Sequence, residues 1–199
     1  MANLSLTTRD VARELARRYS TMTHDELDML ENILVPMKFP KGARILDEGQ
    51  VCRSIYWVVK GLIRQFYFKN NKELTEYMAT ENTICMSIES LFHEAPSRQI
   101  IQALEPTILF AIPMHELEAA AIKSVNIQML YRKILEESLI ISQQRADMLR
   151  FESAQDRYQK LVKNSPQLVL RAPLVYIASY LQMTPETLSR VRTAVLLNS

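Results

Sequence analysis

Residues 41–64 read KGARILDEGQVCRSIYWVVKGLIR, and the fold turns on how this stretch is divided. Every glycine of the chain lies in it: Gly42, Gly49 and Gly61. Between them stand β-branched and aromatic residues, Ile55, Tyr56, Trp57, Val58 and Val59 among them, a composition suited to a pleated, half-buried surface. Gly49 and Gly61 fall where tight turns require φ > 0. The same character continues through LIRQFYFKN and KELTEYMA, then through RQIIQALE and TILFAIP, a pair split by Glu105-Pro106. The region from about Met37 to Pro113 therefore reads as an antiparallel β-roll, jelly-roll-like in its many short strands. Helical segments precede it, the second opening with a capping box formed by Thr23 and Glu26.

Beyond Pro113 the character changes. From His115 to about Ser153 there is neither Gly nor Pro. A short helix is predicted over 115–122 and a long one over 126–151. On the long helix Ile127, Leu130, Ile134, Ile141 and Met148 recur at spacings of three, four and seven. At 1.5 Å per residue it would run ~38 Å, longer than a small domain needs. Its stripe is wide enough to pack on the roll and on a second copy, so these five residues form the predicted dimer interface.

Ser153 caps AQDRYQKLVKN, and breaks follow at Ser165-Pro166 and Ala172-Pro173. LVYIASYL, a turn at Gln182-Met183 and PETLSRVR then make two short helices joined by a few residues, the pattern of a helix-turn-helix. Ile177, Ala178, Leu181, Leu188 and Val191 would fill its small core. Thr184 and Pro185 open the last helix as N-cap and first helical residue. Glu186, Ser189 and Arg190 then share one face of it. Arg offers a bidentate fork to guanine and Glu accepts from the cytosine amino group, so this face suits base readout. Thr184, Thr187 and Arg192 are placed for phosphate contacts. Charge agrees with the motif. Residues 150–199 hold 7 Lys+Arg against 3 Asp+Glu, whereas residues 1–149 hold 17 against 19. A basic terminal segment beside a mildly acidic body points to a polyanion partner, double-stranded DNA.

The chain is thus expected to be α+β, in three parts: N-terminal helices and β-roll sensor over 1–125, a dimerisation helix over 126–151, and a helix-turn-helix over 152–199. With 48% hydrophobic and 23% charged residues it has the composition of a soluble globular protein. No apolar run reaches the ~18 residues of a membrane span, and no signal peptide opens the chain, so a cytoplasmic location is expected. Two cysteines, Cys52 and Cys85, are too few for a disulfide framework or a four-thiolate cluster. His24, His93 and His115 have no ligand spacing, so no metal is expected. No nucleophile–base arrangement and no Gly-rich phosphate loop supports an enzyme.

The order of parts, with KGARILDEGQVCRSIYWVVKGLIR and IASYLQMTPETLSRVR as its most specific stretches, resembles the cAMP receptor protein/fumarate-nitrate regulator (Crp/Fnr) family of bacterial transcription factors over about residues 20–195. The resemblance implies a homodimer paired through the long helix, a two-fold symmetric operator and contact with RNA polymerase. It matches Glu186, Ser189 and Arg190 to the Glu-x-x-Ser-Arg base-reading pattern of the fumarate-nitrate branch. It places an effector pocket at Ser87, Glu89, Ser97 and Arg98, with Ser138 and Ser142 facing it from the long helix. Three departures qualify it. Ser87-Ile88 stands where the phosphate-holding Gly-Glu pair is expected, and Ser97 where the Arg belongs, with Arg98 one residue late and hence on the opposite strand face. The expected effector is accordingly not cAMP but an unidentified small molecule. Two cysteines do not supply the oxygen-sensing branch's iron–sulfur cluster. The chain reaches Ser199 without the β-hairpin wing that normally follows the reading helix, and Gln182 holds a turn position usually given to Gly. A competing reading follows: a ligand-binding or scaffold module of the same fold that has lost DNA binding.

Overall fold

A computed structural model describes residues 7–197. Two capped helices lead in, α1 (Thr8–Tyr19) and α2 (His24–Ile33), each opened by a capping box, Thr7 with Asp10 and Thr23 with Glu26. Eight strands follow: β1 (Val35–Phe39), β2 (Arg44–Leu46), β3 (Ser54–Lys60), β4 (Ile63–Lys69), β5 (Lys72–Ala79), β6 (Ile84–Cys85), β7 (Ile100–Ala103) and β8 (Thr107–Pro113). They form two four-stranded sheets, in the orders β1-β8-β3-β6 and β2-β7-β4-β5, with antiparallel pairing between neighbouring strands. The roll begins at Val35, two residues before the sequence reading placed it. Between β6 and β7 lies a helix the sequence did not announce, α3 (Ile88–His93).

The glycine turns behave as expected: φ is +82° at Gly49 and +110° at Gly61. Gly61 has a second reason to lack a side chain. A Cβ there would stand 2.8 Å from Thr107 Cα and would also collide with Thr107 Oγ1. Gly61→Ala should therefore lower stability by more than the ~1–3 kcal/mol of a strained backbone alone, read as a fall in the thermal midpoint. An unchanged midpoint would mean that the β3–β4 turn can reshape around the methyl group.

Helix α4 (Met114–Lys123) leads into α5 (Val125–Phe151), whose 27 residues span the long helix expected over 126–151. Its first half packs on α1, α2 and α4. There Glu26 accepts from Ser124 Oγ at 2.6 Å and from Asn126 Nδ2, and these donors, Ser124 foremost, hold its carboxyl down at about 2. One turn short of mid-helix, Ile127, Leu130 and Ile134 are 0% exposed inside this single chain. That corrects the expected dimer seam: these three fill the chain's own core, and no partner can reach them. Ile141 and Met148 are half-buried. The apolar residues that α5 leaves open in its second half are instead Leu139 (71% exposed), Ile140 (55%) and Phe151.

The remaining helices are α6 (Ala154–Asn164), α7 (Pro166–Arg171), α8 (Leu174–Tyr180) and α9 (Pro185–Leu197). Ser153 caps α6 with a reciprocal bond to Asp156. Their core contains Ile177, Ala178, Leu181 and Leu188 as expected, with Val191 partly buried beside them. It also contains Leu62 and Met78, which belong to the β-roll. The helical unit is therefore seated on the roll through a shared apolar core.

Polar contacts fix the seating. Ser179 on α8 accepts from the Thr75 backbone N–H at 2.8 Å and donates to Glu73 O, so it covers the open edge of β5. Arg64 on β4, 1% exposed, lies between the rings of Phe66 and Tyr176, 3.8 and 3.7 Å from their centroids, and pairs with Glu73 at 2.7 Å. Arg171 at the end of α7 grips Glu81 with two bonds, 2.7 and 2.9 Å, and also pairs with Glu105. These bonds hold the Glu81 carboxyl at about 2, helped by the Gly61 N–H and against its own desolvation. A carboxyl whose pKa is depressed on folding contributes stability above its unfolded value, near 4.5, and loses it as pH falls toward 2. Glu81→Gln should therefore flatten the fall of the melting temperature between about pH 4.5 and pH 2. Identical slopes for variant and wild type would refute the pairing as a source of stability.

Candidate nucleic-acid interface and effector cavity

The turn before α9 passes through Gln182 at φ +48°, a left-handed conformation that glycine adopts at lower cost. It lets Met183 N–H reach Ala178 O and turns the chain into Thr184. Thr184 Oγ1 then accepts from Thr187 N–H at 3.2 Å, which caps α9 as expected. Glu186, Ser189 and Arg190 are all exposed, on the first two turns of the helix. Arg190 Nη2 rests on Thr187 Oγ1 at 3.4 Å, a weak tether that leaves its fork free to turn outward. The Glu186 carboxyl titrates below the usual range because of its hydrogen bond with Thr184 first, with Arg190 a smaller cause. It is an acceptor at neutral pH. Arg192 is half-buried, one position round the helix from that front. The back of α9 packs on α6 and α8 through Leu188, so its front is held rigidly.

The second site is a cavity of about 880 Å³ between the β-roll, α3 and α5. All six residues assigned to an effector pocket line it: Ser87, Glu89, Ser97 and Arg98 from the roll side, Ser138 and Ser142 from α5. Their states differ. Ser87 and Ser97 are buried, with hydroxyls 3.0 Å apart, and each donates to an oxygen of Gln99 at 2.9 Å. Arg98 points outward and pairs with Glu89 at 2.9 Å, both of them exposed. The three residues lie in the bend that leads into β7, where Ser97 and Gln99 bond to each other and Arg98 between them faces out.

Sequence reasoning missed Gln65, Gln99 and Arg145. Gln65 Nε2 donates to Gln99 Oε1 at 2.6 Å and to Met86 O, and Gln99 Nε2 donates to Glu76 at 2.6 Å, forming a closed amide floor. Arg145 lines the cavity from α5 and lies 4.1 Å from the centroid of the Tyr180 ring on α8. Burial pushes its pKa down, and its Nη2 donates to Thr75 O at 3.4 Å. Its spacing was a usable signal, since Ser138, Ser142 and Arg145 are four and three apart on one helix face.

Cys52 and Cys85 are both buried, and desolvation raises both thiols above their ordinary range. Among the described residues no three His, Cys, Asp or Glu are grouped to hold a metal ion, and no helix is long and apolar enough to cross a membrane.

Comparison with known proteins agrees with this layout. Residues 36–124 match the cyclic nucleotide-binding domain. No curated protein matches the chain. Among solved structures, FixK2 from Bradyrhizobium japonicum covers 83% of this chain and 86% of its own at 17% identity, with a TM-score of 0.73. A transcriptional regulator of the Crp/Fnr family from Eubacterium rectale covers 89% and 85% at 15% identity and a TM-score of 0.64. The Catabolite Activator Protein of Thermus thermophilus covers 93% and 87% at 20% identity and 0.56. Residues 36–124 therefore match the cyclic nucleotide-binding domain, in a chain that shares the fold of these solved structures over most of its length.

Proposed function

We propose that this chain is a DNA-binding transcriptional regulator, acting as a homodimer on a palindromic operator. The observation that carries the proposal is the exposed Glu186/Ser189/Arg190 face at the start of a rigidly backed second helix. Donor and acceptor side chains at that position meet base edges in the major groove. Thr184, Thr187 and Arg192 would bear on phosphates, and the net +4 of residues 150–199 would supply salt-sensitive affinity. The dimer would form on the second half of α5, where Leu139 and Ile140 are open to solvent. RNA polymerase would be a further partner, as the resemblance in sequence implies.

Control would come from a small molecule at the 880 Å³ cavity. The effector is not cAMP: Ser87-Ile88 and Ser97 replace the groups that hold its phosphate, and Arg98 is turned away toward Glu89. The second reading, a module of this fold that no longer binds DNA, draws on the left-handed Gln182 and on the docking of α8 against β5. Selection of random double-stranded DNA by the purified protein at two salt concentrations separates the two. A palindrome with half-sites about one helical turn apart supports the regulator. No enrichment at either salt, with or without cell-extract metabolites, favours the second reading.

A further inference from the structure

The following rests on the reading of the cavity as the effector site and concerns the chemistry of its ligand. Among the described residues three arginines bury an N–H that meets no acceptor: Arg64, Arg145 and Arg157. Arg64 is offset by Glu73 at 2.7 Å. Arg145 and Arg157 enter no ion pair among the described residues, so each guanidinium is partly desolvated with no counter-charge in contact. Burial foremost disfavours the charge on Arg145, and Arg157, on α6, adds like-charge repulsion. Glu76 attracts it without coming close enough to pair. Of the two unpaired arginines, Arg145 lines the cavity. The other charges of the lining are exposed: Arg98 pairs with Glu89, and Lys69, Glu48 and Glu76 face water, which screens them. Arg145 is half-buried and is not screened in that way.

What Arg145 holds at present is weak. Its Nη2 donates to Thr75 O at 3.4 Å, and its guanidinium lies 4.1 Å from the Tyr180 ring centroid. Nη1 is shielded from solvent, so an acid in the cavity meets it once the guanidinium turns from the ring. That turn exchanges a long bond and a ring contact for a charge-assisted, bidentate pair. Beside Arg145, Tyr67, Phe68, Ile88 and Ile141 supply an apolar wall. The volume of about 880 Å³ lies within the roughly 300–1,000 Å³ of drug-sized pockets, which are mostly apolar with a few orienting polar groups.

We propose that the cavity takes a small acid with an apolar body, its anionic head group held by Arg145 on the α5 wall and its body packed on Tyr67, Phe68, Ile88 and Ile141. The head group supplies the acceptor that the buried N–H lacks. It sits on the long helix, away from the Ser87–Ser97–Gln99 floor.

The test titrates the full-length protein with two fluorescent probes that share one apolar body: anilinonaphthalene sulfonate, which carries an acid group, and phenylnaphthylamine, which lacks it. The sulfonate should bind once per chain and about tenfold or more tightly than the neutral probe, the return on a charge-assisted pair. Decanoate or decyl phosphate should displace it and decanol should not; whichever acid acts at the lower concentration names the head group as carboxylate or phosphate. In Arg145→Met the sulfonate should bind only as well as the neutral probe, whose own affinity stays unchanged. The thermal melt should be preserved, because no ion pair is lost. Arg145→Lys should keep part of the preference for the acid. Equal affinity of wild type for the two probes, no displacement by either acid, or a preference that survives in folded Arg145→Met would each overturn the proposal. The wild-type comparison needs no variant, so it decides even if Arg145→Met fails to fold. A gel shift on the selected operator keeps the two readings apart. Preference for the acid without any operator shift, with or without decanoate, leaves the site standing and sinks the regulator; equal probe affinities beside an intact operator shift sink only the ligand class.

Discussion

Replacing Arg190 with alanine should abolish the preference for operator over scrambled DNA and leave the melting temperature within about a degree of wild type. The stability half follows from its surroundings: the side chain is exposed and holds only a 3.4 Å bond to Thr187 Oγ1. Exposed contacts of that kind contribute little to folding. The affinity half follows from the guanidinium fork, since a bidentate contact to guanine is worth ~1–3 kcal/mol of discrimination and a two-fold dimer makes it twice. Arg190→Lys should recover non-specific affinity without recovering selectivity, because an ammonium is a point charge without the fork. The ratio of dissociation constants for operator and scrambled duplex is the quantity to measure. A ratio that Arg190→Ala leaves unchanged would remove this residue from the reading face.

The second large effect separates the core of α5 from its open surface. Ile134→Asp buries a carboxylate at a site with 0% exposure and should leave no folded protein, a loss beyond the ~2–5 kcal/mol of truncating such a residue to alanine. Leu139→Asp with Ile140→Asp places the same charges on open positions. That variant should melt like wild type yet sediment as a monomer, because like charges would then face each other across the seam. A double variant that stays dimeric would move the interface off the second half of α5.

The two variants also show what the sequence could say about this helix. Spacings of three and four told correctly which residues share a face, and length told that one chain alone would not cover all of it. Neither says which neighbour covers which stretch. The first half lies under α1, α2 and α4, so the strongest part of the stripe, Ile127 to Ile134, is spent within the chain. The opening strands were easier to read. Turn glycines with positive φ and alternating apolar residues both leave marks within a few positions of each other. Helices α3 and α7 left none, because six residues are less than two turns and show no period.

The candidate sites were legible in proportion to how local they are. The α9 face is set by a cap and by i, i+3, i+4 geometry, all within seven residues. All six cavity residues were placed by family likeness and do line the cavity, but the floor was not, because Gln65 and Gln99 meet from segments far apart in sequence. Arg64 lies within LIRQFYFKN, a segment the sequence marks only as a strand. Its role as the polar seat of α8 depends on Tyr176, over a hundred positions later, and no local pattern carries that information.

The presence of Leu62 and Met78 in the core of the terminal helices bears on how freely such a protein can be recombined. A segment cut at residue 152 would carry α9 away from two of the side chains that complete its interior, and Arg171 would lose both of its carboxylates. Grafted onto an unrelated sensor, it would arrive with an unfilled hollow and an exposed apolar wall. A working chimera would need a host whose own hairpin offers an apolar pair at the positions of Leu62 and Met78, which confines exchange to partners already shaped alike.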